Sequence, residues 1–245
     1  IVLTPTAYSD GDLHCIKPNT ATGDFDFTRS TTATRINSSG NVESVAANLP
    51  RIDYTGGTGQ ILLEPQTTNL LTYSEDFSQW SAGSTITLQS GFSAPDGTNN
   101  AYKLTKTGTA QPYLIFNASL TTSSTRSIFA KTVSGTGTVN LLSHNSNTNN
   151  LFTLTENWQR FDVTSSNSTG VANFYAVDFR GSSSLSEIIV FGANATNDQA
   201  FATSYIKTSG STFKNPLTQT KKKVWELIKE SVPLDKSFGD VLERL

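Results

Sequence analysis

From about residue 85 to 206 the chain breaks into short runs in which apolar and polar positions alternate or cluster. These are STITLQS, AYKLTKT, YLIFNASL, RSIFAKTV, TVNLLSH, NLFTLT, NWQRFDVTS, VANFYAVDFR and EIIVFGA, with Gly, Asn and Ser between them. A period of two with turn residues every eight to twelve positions predicts antiparallel strands packed as a β-sandwich or jelly roll. The connector SSNSTG between WQRFDVT and VANFYAVDF predicts a hairpin.

The two ends read differently. Residues 1–60 carry isolated hydrophobes (Phe25, Phe27, Ile36, Val42, Val45, Ile52) among turn clusters, the pattern of an extended leader ordered by a neighbouring surface. Residues 61–84 form a junction, where Pro65 is expected to end a strand, Asn69 to cap, Leu70 and Leu71 to anchor and Trp80 to plug the sandwich. After the sandwich at 85–213, residues 214–245 place Val224, Leu227 and Ile228, then Phe238, Val241, Leu242 and Leu245, at helical spacing. Two short amphipathic helices of that kind need a docking partner, because isolated helices under about 12–15 residues are marginal in water. The fold class expected is therefore all-β, an antiparallel β-sandwich of jelly-roll type with an extended N-terminal leader and a short C-terminal helical tail.

Composition narrows the function classes. Only 36% of the residues are hydrophobic and 16% charged, so the polar remainder is mostly uncharged, as suits strands and turns. A formal charge of -2 offers no basic face for nucleic acid. Cys15 is the one cysteine, so no intrachain disulfide can form. No apolar run reaches the roughly 18 residues of a membrane span. A first residue Ile1 and the lack of any methionine point to a segment of a longer product.

The segment FDFTRSTTATRINSSGNVESVAANLPRIDYTGGTGQILLEPQTTNLLTYSEDFSQW, residues 25–80, resembles a leader of bacteriophage virion proteins, where a carbohydrate-binding-module-like jelly roll follows; FATSYIKTSGST, residues 201–212, resembles the end of that module. Phe191-Gly192-Ala193-Asn194-Ala195-Thr196 departs from the family's Trp-Gly-Ala-Gln-Leu-Glu, and Lys207 stands where proline is usual. The resemblance implies a virion location, a homotrimeric fibre or appendage subunit, contacts with other virion proteins and display of the jelly roll toward host-surface glycan. The alternative is the carbohydrate-binding module of a larger cell-surface glycan-active enzyme.

Catalytic chemistry finds little purchase. His14 and Cys15 adjoin, but the other histidine, His144, is remote, and no zinc spacing, GxSxG, GxxxxGK or HExxH is present. Asp162 and Asp178 would face each other across the expected hairpin, yet Arg160 and Arg180 two residues away would hold them ionised as a salt-bridge ladder. No catalytic residue, metal or cofactor is therefore expected. For glycan, Trp158, Arg160, Asp162, Asp178 and Arg180 would combine an aromatic plane with directional donors and acceptors; the plainer reading of Trp158 is a sheet-edge anchor. The turns Asp10-Gly11-Asp12 and Asp96-Gly97-Thr98-Asn99 carry oxygen ligands but lack a full calcium set. Lys221, Lys222 and Lys223 precede a helix too short to lie on a membrane, so the tail is expected to dock on protein.

Overall fold

The computed structural model describes residues 28–117, 120, 124–144, 150–165, 173–197 and 199–216, with the backbone of 7–9 and 12–14. In the leader, β1 (Ala7–Ser9) pairs with β2 (Asp12–His14), β3 (Ala33–Ile36) with β4 (Val42–Val45), and β5 (Ile52–Asp53) with β6 (Gln60–Ile61), all antiparallel. β7 (Thr67–Asn69) follows, then β8 (Ser81–Ala82), β9 (Ile86–Phe92), β10 (Ala101–Lys106), β11 (Tyr113–Asn117), β12 (Ser124–Thr132), β13 (Gly137–His144), β14 (Leu151–Leu154), β15 (Gln159–Ser165), β16 (Asn173–Asp178), β17 (Glu187–Asn197) and β18 (Phe213–Asn215). The nine runs read from the pattern are β9 to β17.

Two five-stranded antiparallel sheets result, in the orders β15-β12-β17-β10-β9 and β14-β13-β16-β11-β8. Successive strands from β10 onward alternate between sheets except at the β13–β14 hairpin, and the last, β17, returns to lie beside β10. That is the strand order of a jelly roll, two interlocked Greek keys. Leu104, Ile128, Ala130, Ile188 and Val190 from one sheet meet Leu114, Val139, Leu141, Leu154 and Val177 from the other in a single buried core. Trp80 and Phe77 close it, with ring centroids 5.1 Å apart, as the junction was expected to do.

Three readings are corrected. The segment 159–178 is not a hairpin: β15 pairs with β12 in one sheet, while β16 lies between β13 and β11 in the other. The period of two fixed which side chains point inward, but a strand pattern does not name its partner. Residues 213–215, at the border with the expected tail, form β18, which pairs with β7. The expected helices and their docking residues from Val224 to Leu245 lie outside the described residues. Pro65, too, ends no strand; β6 stops at Ile61.

β12 and β17 are buried along nearly their whole length, on both faces. Ile188 and Val190 point into the sandwich, whereas Ile189 and Phe191 point outward into a second cluster with Phe129, Val42 and Tyr205, flanked by Ile36. Hence the continuous apolar run EIIVFGA: a strand covered on both sides loses its polar alternation. At Gly192 the chain takes φ +61, and a Cβ there would come within 3.2 Å of Phe129 and 3.3 Å of Tyr205.

The cover on that outer face is the leader, held by buried arginines. Arg29, 1% exposed, donates to the carbonyls of Thr31 (2.9 Å), Leu49 (3.0 Å), Val45 (3.1 Å) and Ala46 (2.5 Å), gathering the end of the β3–β4 hairpin around one guanidinium. Arg51 Nη1 donates to Glu64 Oε2 (2.8 Å), Ser204 Oγ (2.8 Å) and the Thr34 carbonyl (3.1 Å), and Glu64 also accepts from Ser204 N (2.5 Å) and Oγ (2.6 Å). Asn69 donates to the carbonyls of Ala193 and Ile206 and accepts from Ala195 N, stitching the junction to β17.

Removing one partner of a buried ion pair leaves the other charge uncompensated, at a cost of about 3–5 kcal/mol. Glu64→Ala should therefore lower unfolding free energy by about that amount in urea titrations, while the double variant Arg51→Met, Glu64→Leu should recover most of it. Asp53 accepts from Ile36 N at 2.7 Å and Thr55 N at 2.9 Å. Burial pushes its carboxyl up, but those hydrogen bonds outweigh burial and hold it below the usual range. Its contribution is thus present above the unfolded value of about 3.9 and lost as pH falls through the lower folded value. The stability of Asp53→Asn should fall less steeply on acidification than that of the parent, by thermal melts across that range.

Candidate functional site

A groove of about 650 Å³ opens where the leader hairpin, the β9–β10 turn and the closing segment meet. Its first wall is the β3–β4 hairpin, presenting Thr32, Thr34, Asn37, Asn41, Glu43 and Ser44. The tip is a hydrogen-bonded turn: Asn37 Oδ1 accepts from Ser39 N and Asn41 N, both at 3.0 Å, and Gly40 takes φ +80. The second wall is the Asp96-Gly97 turn, in which Asp96 Oδ1 accepts from Thr98 N and Oγ1. Val42 N donates to the Pro95 carbonyl at 2.9 Å and ties the two walls together. Phe213 and Asn215 of β18, with Tyr205, Ile206 and Lys207, complete the lining.

The floor is a fixed hydrogen-bond chain. Glu75, 7% exposed, accepts from Tyr205 Oη (2.9 Å), Lys207 Nζ (2.7 Å) and Asn100 Nδ2 (3.2 Å), and the Tyr205 hydroxyl also meets Ser74 Oγ at 2.7 Å. Burial, and then the charge of Glu75, push the Tyr205 phenol well above its ordinary range, so it stays neutral and donates. Phe213 keeps 38% of its surface exposed. The carboxylates of the groove are already engaged: Glu43 by Arg35 (2.8 Å), Glu75 by Lys207, Asp96 by its own turn. What remains for a ligand is an aromatic face with neutral amides and hydroxyls, the Lys207 ammonium being paired with Glu75. Such a set suits a neutral polyhydroxylated ligand better than an anion.

The five residues expected to bind glycan are not brought together. Trp158 stands half-buried before β15 and packs on the outer cluster, with Lys131 Nζ 5.6 Å from its ring centroid, the geometry of a sheet-edge anchor. Arg160 points to the outer face; it stacks 5.5 Å from Phe129 and donates to Ser127 Oγ (2.9 Å) and the Thr203 carbonyl (2.6 Å). It lines a separate cavity of about 250 Å³ with Asp53 and Glu64. Asp162 is exposed on the same strand. Asp178 ends β16 in the other sheet, and Arg180 follows in the turn after it. The fully buried Asp178 takes Arg180 Nε (2.9 and 3.1 Å) and Nη2 (2.6 Å), and the guanidinium lies 4.6 Å from the Tyr113 ring. Asp162 and Asp178 do not share a ladder, because their strands do not pair.

Apart from the Asp96-Gly97 turn, the groove residues were missed because they come from distant segments, and its Thr, Asn and Ser residues are of types common throughout this chain. Among the described residues no group of three His, Cys, Asp or Glu converges as a metal site would require. His14, Cys15, His144 and the Asp10-Gly11-Asp12 turn have no described side chains.

No family model matches the chain. A curated protein, the UDP-N-acetylenolpyruvoylglucosamine reductase of Pelagibacter ubique (strain HTCC1062), is 53% identical over 70 residues, which is 27% of this chain and 23% of the reductase. The chain thus spans less than a quarter of that relative. Among solved structures, the CBM22-1 and GH10 modules of Clostridium thermocellum endo-1,4-β-D-xylanase 10B, complexed with xylohexaose, align with a TM-score of 0.39 at 15% identity, over 56% of this chain and 29% of that one. The jelly-roll assignment rests on the strand order above.

Tyr205→Phe removes one hydroxyl from the groove floor and leaves Ser74 and Glu75 each short of a partner. The expected loss is about 1–3 kcal/mol in urea unfolding, the cost of an unsatisfied buried polar group.

Proposed function

We propose that this chain is a non-catalytic glycan-binding jelly-roll module that takes a neutral saccharide in the groove between its leader hairpin and its closing segment. The observation that carries this reading is the pairing of an exposed aromatic ring, Phe213, with the amides of Asn37 and Asn41 across a groove whose floor is fixed by Glu75, Tyr205 and Lys207. Stacking on a ring face together with directional hydrogen bonds is what recognition of a sugar demands. A groove of this volume lies within the range of about 300–1,000 Å³ typical of small-ligand sites. This reading suits a module of a larger glycan-active protein.

A second reading, a fibre or appendage subunit of a bacteriophage particle, is favoured by the leader. Within the segments that carry that resemblance, Arg29 gathers the leader hairpin, Arg51 ties it to Glu64 and Ser204, and Asn69 ties the junction to β17, which supports this reading. Homotrimerisation and contacts with other virion proteins belong to this reading.

Glycan arrays should give binding to neutral oligosaccharides that Phe213→Ala and Asn41→Ala each weaken about five- to tenfold, or about 1–1.4 kcal/mol. Arg180→Ala should leave it unchanged; the opposite pattern would move the site to the Asp178–Arg180 corner. Light scattering separates the settings: a mass near three times 26.4 kDa supports the appendage, and a monomer that binds glycan supports the module.

A further inference from the structure

Four arginines of the sandwich and leader are buried or nearly so, and three have partners. Arg29 has four carbonyls, Arg51 has Glu64 and Ser204, and Arg160 has Ser127, Thr203 and the Phe129 ring. Arg126 on β12 is 1% exposed, its Nε and Nη1 have no hydrogen-bond partner, and no carboxylate among the described residues lies within ion-pair distance. Burial pushes its guanidinium down to about 10.

Its direction follows from register. Arg126 stands opposite Val163 of β15 and Ala195 of β17, both packed in the inner core, so its side chain enters the space between the sheets. Two residues nearer the end of the sandwich, in the same row, Ser124 is fully buried with its hydroxyl also unpartnered. Ser143, buried with an unpartnered hydroxyl, lies near the end of β13 at that same end of the sandwich. The connections there, 118–123, 145–149 and 166–172, contain no Asp or Glu; Asp198, just beyond β17 and outside the described residues, is the acid nearest in sequence to these strand ends.

We propose that Arg126, with Ser124 beside it, is the receptor for a carboxylate group that enters the end of the jelly roll. An arginine cannot shed its proton, so a lone guanidinium in a dry site is strongly unfavourable until an anion meets it. The planar carboxylate matches the fork of the guanidinium, and a hydroxyl from Ser124 can serve a remaining lone pair. A monoanion neutralises the single charge, whereas a phosphate or sulfate dianion would leave net negative charge buried. The site does not depend on the neutral-saccharide groove, which is lined by other residues.

The test is a titration of the whole chain with sodium acetate, sodium glucuronate and glucose at constant ionic strength held by sodium chloride. The thermal midpoint should rise saturably with both carboxylates, and the rise should vanish in Arg126→Met. Arg126→Lys, which keeps the charge but loses the fork, should shift the half-saturation point at least tenfold higher. Tighter binding of glucuronate than acetate would identify the source as an acidic sugar; equal binding would identify a free carboxylate. No saturable response to either carboxylate, or an equal response in Arg126→Met, overturns the proposal. Should Arg126→Met fail to fold, the Arg126 Nε–Hε NMR resonance, assigned by its loss in Arg126→Lys, must move with acetate in the parent chain, and a stationary resonance is equally fatal.

Discussion

The outer face of the β15-β12-β17-β10-β9 sheet is apolar, and the rest of the structure is arranged around covering it. Ile189, Phe191 and Phe129 cannot be left to water in a chain that is only 36% hydrophobic, so the leader hairpin and Tyr205 are drawn over them. Burying the leader brings its backbone carbonyls and charges along. Arg29 and Arg51 answer that need, the first by collecting carbonyls and the second by pairing with Glu64. A buried ion pair is seldom a net source of stability when compared with apolar replacements. Its value here is directional: Arg51 Nη1 finds its acceptors only when Thr34, Glu64 and Ser204, from three separate segments, converge on it.

This constraint explains why the strands were legible and their partners were not. Alternation of apolar side chains reports which face is buried, and runs such as NWQRFDVTS carry that signal. WQRFDVT and VANFYAVDF are adjacent and both amphipathic, which is equally compatible with a hairpin or a crossing between sheets. The run EIIVFGA holds the missing clue, since apolar residues on both faces require a third layer. Read together with the isolated hydrophobes Ile36 and Val42, it places the leader on that strand.

Site residues were less legible for a different reason. Trp158, Arg160 and Arg180 draw the eye as chemistry-bearing types in a chain with few charges, but each is engaged by a neighbour: Trp158 under Lys131, Arg160 on Phe129 and Ser127, Arg180 on Asp178. The groove instead uses neutral polar residues, whose side chains gain meaning only once the hairpin tip and the Asp96 turn are joined through the Val42 amide. Arg126 carries no sequence mark at all; its importance is visible only after register shows which way it points.

Because the groove lies on the seam between leader and sandwich, its contents and the docking of the leader are linked. Any occupant that touches both Asn41 and Phe213 binds only the docked arrangement, and so favours it by mass action. The floor residues reinforce the coupling: Glu75 receives Tyr205 and Lys207 in the same place where Thr34 Oγ1 of the hairpin donates to the Tyr205 carbonyl at 2.5 Å. Pulling the leader away would strip the Thr34 donor from Tyr205 and reopen the Phe129–Phe191–Tyr205 cluster to water. A ligand held in the groove would therefore resist separation of the leader from the sheet.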